Sequence, residues 1–180
     1  MKTSKYNYLS LSLALMLATM PVWGDDGSLP AAAESRSRAG NVQGSLIKGS
    51  LITSYDGTKQ EQDWYAVTLA QASPVGWVVF THGAIFHDGG WFDTSKAKPQ
   101  VQVQAVKDGP WKTVGELTDY PATTATEAKI LGPHGSGTRY TCTLATPVTA
   151  LAVRVIGKPA CGNDSKQSFS SCDGLAVYER

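Results

Sequence analysis

The sequence predicts an all-β protein built as an antiparallel β-sandwich, and three observations carry that prediction. Apolar and polar residues alternate with period two in several short stretches, which is the pattern of strands with one buried face. These stretches recur about every ten residues, separated by turns that draw on 18 glycines and 9 prolines. No stretch shows the period of an amphipathic helix, so neither a helical bundle nor a βαβ fold is indicated.

The clearest strand lies at residues 101–105, where two valines and an alanine alternate with glutamines. The segment 107–110 (KDGP) follows it and is a turn signal. Residues 64–69, 140–144 and 151–155 show the same alternation, while 75–80 form a continuous apolar run of strand length and 175–178 close the chain.

Composition and net charge exclude some classes of function. The chain has 180 residues, 42% of them hydrophobic, which suits one domain with a sizeable core. Its 16 basic and 15 acidic residues leave a formal net charge of +1. A general nucleic-acid-binding protein carries a strongly basic surface, so we expect no nucleic-acid partner.

The amino terminus has the organisation of a secretory signal peptide over residues 1–24. Lys2 and Lys5 precede an apolar stretch at 9–20, and Gly24 ends the segment with a small residue. The apolar stretch is shorter than the about 20 residues that a membrane-spanning helix needs. We therefore expect an exported protein, periplasmic or secreted, with no membrane span; the alternative is an uncleaved interfacial anchor.

The exported chain divides into a leader and a domain. Residues 25–45 are small and polar without any period, so they are predicted to be a flexible leader before a domain at 46–180. An oxidising compartment favours disulfides, and we expect Cys161 and Cys172 to be bridged across a polar loop. Cys142 alternates with apolar neighbours and is predicted to point into the core.

One loop concentrates aromatic and polar side chains between two strands, at residues 81–98. Aromatic rings can stack on the apolar face of a sugar, while carboxylates and imidazoles bind its hydroxyl groups. The ligand-binding residues predicted on this basis are His82, His87, Asp88, Trp91, Phe92 and Asp93. In the alternative, Trp91 and Phe92 close the end of the core. A second, less distinctive surface is 118–137, with Asp119, Tyr120 and His134.

The order of these landmarks resembles the discoidin domain, also called the coagulation-factor type C domain, of the galactose-binding-like superfamily. The similarity is carried by the segments DGT at 56–58 with DWYAVTL at 63–69, VGWVVF at 75–80, VQVQAVKDGPW at 101–111, and VTALAVRV at 148–155 with LAVY at 175–178. The resemblance implies a jelly-roll sandwich. It also implies a non-catalytic module whose end loops bind sugars, phospholipid head groups or proteins.

The same resemblance implies a structural calcium ion held by Asp56, Thr58 and Asp173, because hard oxygen ligands suit Ca²⁺. The alternative for Asp56 is an ordinary Asp-Gly turn. Zinc-type ligands from His82, His87, Asp88 and Asp93 are a further alternative, although their spacing gives it no support.

The function expected from sequence is thus an exported, non-catalytic module that binds carbohydrate or a cell-envelope glycan. A protein-interaction module of the cell envelope is the first alternative. A metal-dependent hydrolase that uses the 82–93 loop is the second, and neither a Gly-x-Ser-x-Gly nor a His-Glu-x-x-His motif is present to support it.

Overall fold

The computed structural model describes residues 27–29, 31–35, 52–128 and 137–179, and its regular elements in these ranges are eight β-strands. They are β1 (Ala31–Ser35), β2 (Ile52–Thr53), β3 (Asp63–His82), β4 (Phe92–Asp93), β5 (Gln100–Gln104), β6 (Lys112–Glu116), β7 (Arg139–Pro159) and β8 (Ser171–Tyr178). The all-β prediction is confirmed. The predicted signal peptide and His134 lie outside the described residues.

Two long strands, β3 and β7, organise the sandwich. The first part of β3, Asp63 to Thr68, pairs with the last part of β7, and Trp77 to Thr81 pairs with its first part. A short third region, Ser73 to Val75 against Val148 to Ala150, lies between them, with a register shift on each side. Pro74 lies in this short region and Pro147 directly beside it, where the ladder is already interrupted and a residue without a backbone N–H is tolerated. Each long strand bends there and contributes to both layers.

The pairing is antiparallel throughout these ladders. The first layer has the strand order β1, β3, β7, β5, β6, with the short β4 against the end of β7. The second layer has the strand order β2, β8, β3, β7. The core between them is formed by the inward residues of each alternation, which include Tyr65, Val67, Phe80, Val101, Val103, Val153, Val155, Leu175 and Val177.

The flexible leader predicted for residues 25–45 is wrong where the structure describes it. Ala31–Ser35 form β1 and pair with Tyr65 to Leu69 of β3. Leu29 is buried, and its N–H donates to Val177 O at 2.7 Å. Without β1 the first part of β3 would present unpaired backbone groups at a sheet edge, and pairing satisfies them.

The cysteines differ from expectation in one respect. Cys142 is buried in the core as predicted, and burial raises the pKa of its thiol. The predicted disulfide between Cys161 and Cys172 is not formed, and both are free thiols. Cys172 is fully buried on β8, whereas Cys161 lies in the turn after β7 with its Sγ 3.8 Å from Gly162 O. The two side chains belong to different environments, which separation along the chain does not reveal.

Where the chain is described, no helix is long and apolar enough to span a bilayer.

Candidate functional site

Several loops meet at one end of the sandwich, which we call the loop end. The loop before β3 contacts the one before β8, because Ser54 N–H donates to Ser170 O at 3.3 Å. The loop after β3 contacts the turn after β7 through Asn163 N–H and His87 O at 3.0 Å. The turn between β5 and β6 lies at the opposite end of the sandwich. In the β5–β7 pairing Gln100 is opposite Ile156, near the loop end, and Gln104 is opposite Ala152, farther from it.

A buried carboxylate ties these loops to β3. Asp63 is fully buried, and its Oδ2 accepts hydrogen bonds from Ser170 N (2.8 Å), Ser170 Oγ (2.5 Å) and Ser54 Oγ. Its Oδ1 accepts from Trp64 N at 3.1 Å. Charge-assisted bonds of this kind are among the stronger ones in proteins. Asp63 therefore anchors the loop end, a role that the sequence did not indicate.

His82, predicted to bind ligand, lies in the core. Its ring is fully buried, with Nδ1 2.6 Å from Gly83 O and Nε2 3.1 Å from Tyr120 Oη. Burial lowers the pKa of His82 to about 4, against a partly offsetting contribution from the Gly83 carbonyl. The residue is thus a neutral, structural imidazole that no ligand at the surface can reach.

Trp91 and Phe92 also lie under other side chains. Trp91 is 3% exposed, and its Nε1 donates to Thr124 O at 2.8 Å. The Phe92 ring is fully buried, 5.8 Å from the ring of Phe80 and 6.0 Å from that of Tyr120. Their positions match the alternative interpretation, in which the two rings close the end of the core.

Asp93, the last residue of β4, is also buried. Its Oδ1 accepts from Ser95 N at 3.0 Å, and its Oδ2 lies 3.4 Å from Lys158 Nζ. Burial opposes ionisation, but the Ser95 hydrogen bonds and the Lys158 ammonium outweigh it and lower the pKa of Asp93. The carboxylate therefore has protein partners already.

Only two of the six predicted ligand-binding residues reach the surface. His87 and Asp88 form a two-residue turn between Phe86 and Gly89, which pair with each other. The His87 side chain is 79% exposed and that of Asp88 25% exposed. Their Nδ1 and Oδ1 atoms are 3.9 Å apart, too far for a hydrogen bond, so both retain hydrogen-bonding capacity.

The structure adds an aromatic surface beside this turn. Tyr55 and Phe86 are 43% and 39% exposed, and both rings contact the buried ring of Phe169. The centroid distances are 5.1 Å for Tyr55 and 5.8 Å for Phe86. We call Tyr55 and Phe86 the aromatic patch. Phe86 was visible as an aromatic loop residue, but Tyr55 carried no sequence signal that it would be exposed beside it.

Two of the three predicted calcium ligands, Asp56 and Thr58, contact each other. Asp56 Oδ1 accepts from Thr58 N at 3.0 Å and from Thr58 Oγ1 at 2.6 Å, and Asp56 Oδ2 accepts from Gln60 Nε2 at 3.3 Å. These contacts are those of a side-chain-capped turn, the alternative for Asp56. Asp173 lies on β8. A calcium ion at these three residues stays a prediction.

The zinc-type ligand set is not assembled. Over the described ranges, no group of three or more His, Cys, Asp or Glu side chains is placed to hold a metal ion. His82 and Asp93 are buried with protein partners, while His87 and Asp88 face outward.

The second surface predicted from the sequence, residues 118–137, is described in part. Its Tyr120 is buried, and its Asp119 accepts a hydrogen bond from Thr141 N at 3.1 Å.

Gly162 allows the His87–Asp88 turn to approach the turn after β7. Its φ is +54°, and a Cβ there would lie 2.3 Å from His87 O and 2.7 Å from the Asp88 backbone. We expect Gly162→Ala to lower the free energy of unfolding by about 2–4 kcal/mol, because strain and a backbone clash add. Gly57→Ala is the matched control, since its φ is +69° but its Cβ would meet only Tyr55 Oη at 3.8 Å. Gly57→Ala should lower the free energy of unfolding by about 1 kcal/mol. If chemical denaturation shows equal losses of stability for the two variants, the close approach of the His87–Asp88 backbone to Gly162 is not the cause.

No family model and no curated protein matches the sequence. Solved structures do match the fold. The family 32 carbohydrate-binding module of NanJ from C. perfringens, solved in complex with galactose, has a TM-score of 0.55 and 17% identity, covering 83% of this chain and 93% of that one. CpGH89CBM32-5 from Clostridium perfringens, in complex with GalNAc-β-1,3-galactose, has a TM-score of 0.55 and 14% identity over 83% and 94% of the two chains.

A third structure, CBM32-1 from a family 31 glycoside hydrolase of Clostridium perfringens, has a TM-score of 0.54 and 11% identity over 84% and 97% of the two chains. At such identities the likeness concerns the fold. The chain has the antiparallel β-sandwich fold that these three family 32 carbohydrate-binding modules also have. The fold implied by the resemblance to discoidin domains is thereby confirmed.

Proposed function

We propose that the protein is an exported, non-catalytic module that binds carbohydrate through its loop end. The observation that carries the proposal is the aromatic patch, two exposed rings beside the polar His87–Asp88 turn. The fold supports it, because modules of the same fold have been solved with galactose and with GalNAc-β-1,3-galactose. Export, to the periplasm or the medium, rests on the signal-peptide pattern of residues 1–24.

The chemistry of the loop end suits a sugar. The rings of Tyr55 and Phe86 offer apolar faces to the C–H groups of a pyranose. His87 and Asp88 supply a nitrogen and carboxylate oxygens for its hydroxyl groups. Phe169 beneath the patch is 3% exposed and supports both rings, so less side-chain freedom is lost on binding.

Gln167 holds the His87–Asp88 turn in place. It is 2% exposed, and its Nε2 donates to Asp88 O. The turn is therefore tied to the segment before β8, which limits the conformational freedom that it loses on binding.

Phe86→Ala tests the proposal. After a glycan panel has identified a ligand, with galactose and GalNAc-terminated glycans as first probes, we expect calorimetry to show about tenfold weaker binding, the loss of one stacking contact. Phe86→Tyr keeps a ring and should retain affinity, whereas Phe86→Leu keeps apolar volume without a ring and should not. Val106→Ala, at the exposed β5–β6 hairpin, is the control that should bind normally.

Two outcomes would contradict the proposal. One is a panel on which no glycan binds. The other is a bound glycan whose affinity is the same for the wild type and for Phe86→Ala. Capture of a cell-envelope protein that excess sugar does not displace would instead favour the protein-interaction alternative.

A further inference from the structure

A groove with a volume of about 240 Å³ lies on the outer face of the first layer, apart from the aromatic patch. Outward-facing residues of β5 and β7 form its base, and the loop after β4 forms one wall. The lining residues used below are Gln62, Lys96, Lys98, Gln100, Ile156 and Lys158. The groove and the patch share no residue.

The side chains that line the groove carry a net positive formal charge. Three lysines line it, against the two carboxylates of Glu61 and Asp93. Asp93 is buried and is paired with Lys158 at 3.4 Å. Lys98 donates to the backbone O of Thr118. A carbonyl carries no formal charge, so among the lining residues Glu61 is the one remaining carboxylate against the two ammonium groups of Lys96 and Lys98.

Unused hydrogen-bond donors also face this groove. Lys96 is exposed and makes no ion pair or hydrogen bond to any described residue. Gln100 Oε1 accepts from Thr113 Oγ1 at 3.2 Å, while its side-chain NH₂ has no partner in the described part of the chain. The exposed Gln62 amide is likewise unpaired there. A carboxylate and hydroxyl groups are the ligand atoms that such donors bind.

We propose that this groove binds an acidic sugar residue, a uronic acid unit of a polysaccharide. The carboxylate lies beside Lys96, its hydroxyl groups accept from Gln62 and Gln100, and the less polar face of the ring rests on Ile156. The volume is below the roughly 300–1,000 Å³ of pockets for larger ligands, so it accommodates one ring. The site is additional to the aromatic patch and does not depend on it.

The test is an NMR titration of the full exported chain with a galacturonic acid trisaccharide and, in parallel, with a neutral galactose trisaccharide. We expect the acidic probe to shift backbone amides of residues 96–102 and 156–158, with affinity that falls as salt rises. The neutral probe should not shift them. Lys96→Gln should weaken acidic binding by about tenfold, the loss of one charge-assisted hydrogen bond, and Lys96→Glu should abolish it.

Lys107→Gln is the matched control, because it removes the same charge from an exposed lysine in the β5–β6 hairpin. It should leave the titration unchanged. Equal weakening by Lys96→Gln and Lys107→Gln, or equal shifts with acidic and neutral probes, would overturn the proposal, as would the absence of shifts in the groove. Shifts at Tyr55 and Phe86 with the neutral probe report separately on the aromatic patch.

Discussion

Replacing Asp63 by alanine is expected to lower the free energy of unfolding by about 3–4 kcal/mol, as measured by chemical denaturation. The carboxylate is fully buried and accepts from Ser54, Ser170 and Trp64. Alanine removes the common charged acceptor of these donors and leaves longer bonds to neutral acceptors, from Ser170 N–H to Ser54 Oγ and from Ser170 Oγ to Tyr65 Oη, both at 3.3 Å. Hydrogen bonds to a buried charged group contribute more than bonds between neutral groups, so their loss is costly.

Two comparisons sharpen this prediction. Asp63→Asn keeps one acceptor oxygen and the side-chain volume, so a loss of about 1–2 kcal/mol is expected. Asp164→Ala also removes a carboxylate that accepts a backbone hydrogen bond, from Lys166 N at 3.0 Å, but at an exposed position. Asp164→Ala should change the free energy of unfolding by no more than about 0.5 kcal/mol. Similar losses for Asp63→Ala and Asp164→Ala would show that burial is not the cause.

A fall in stability between pH 6.5 and 4 is the second large effect that the structure predicts. Phe92 N–H donates to Tyr120 Oη at 3.1 Å, which directs the Tyr120 hydroxyl proton toward His82 Nε2. Nε2 is then the acceptor and Nδ1–H the donor to Gly83 O. A second proton, on Nε2, would remove the acceptor of the Tyr120 hydroxyl, and burial lowers the pKa of His82 to about 4.

The direction of this pH dependence follows from the coupling between proton binding and folding. The unfolded chain takes up a proton near the ordinary histidine pKa of 6.5, and the folded chain only near 4. Between these values the unfolded state holds more protons, so the free energy of unfolding falls as the pH falls. The contribution is fully present above pH 6.5. Its loss amounts to roughly 3 kcal/mol by pH 4, since one pKa unit corresponds to about 1.4 kcal/mol.

Denaturation curves at a series of pH values measure this dependence. His87→Gln, which removes an exposed imidazole outside the core, is the matched control. His82→Gln is expected to be less stable at pH 7 but to have a shallower slope in this range, so the readout does not depend on its starting stability. A folded-state His82 that titrates near pH 6.5 by NMR would refute the assignment.

The candidate site was predictable only in part, and exposure is the reason. The loop between β3 and β5 was recognised as unusual from its composition, and its His87 and Asp88 do reach the surface. Its Trp91 and Phe92 do not, because they fill the end of the core. Composition shows that a loop contains rings, but which rings face water depends on the space that the two layers leave between them.

The sequence by itself determined the class of fold, because period-two alternation, as in Val101 and Val103 against Gln100, Gln102 and Gln104, suits only a strand with one buried face. Only the tertiary structure decided that the predicted strands at 64–69 and 75–80 are one bent strand, β3. It also decided that Asp63 anchors the loops and that Tyr55 joins Phe86. These features arise from contacts between residues that are far apart in the chain, and no local pattern records which partners the folded chain brings together.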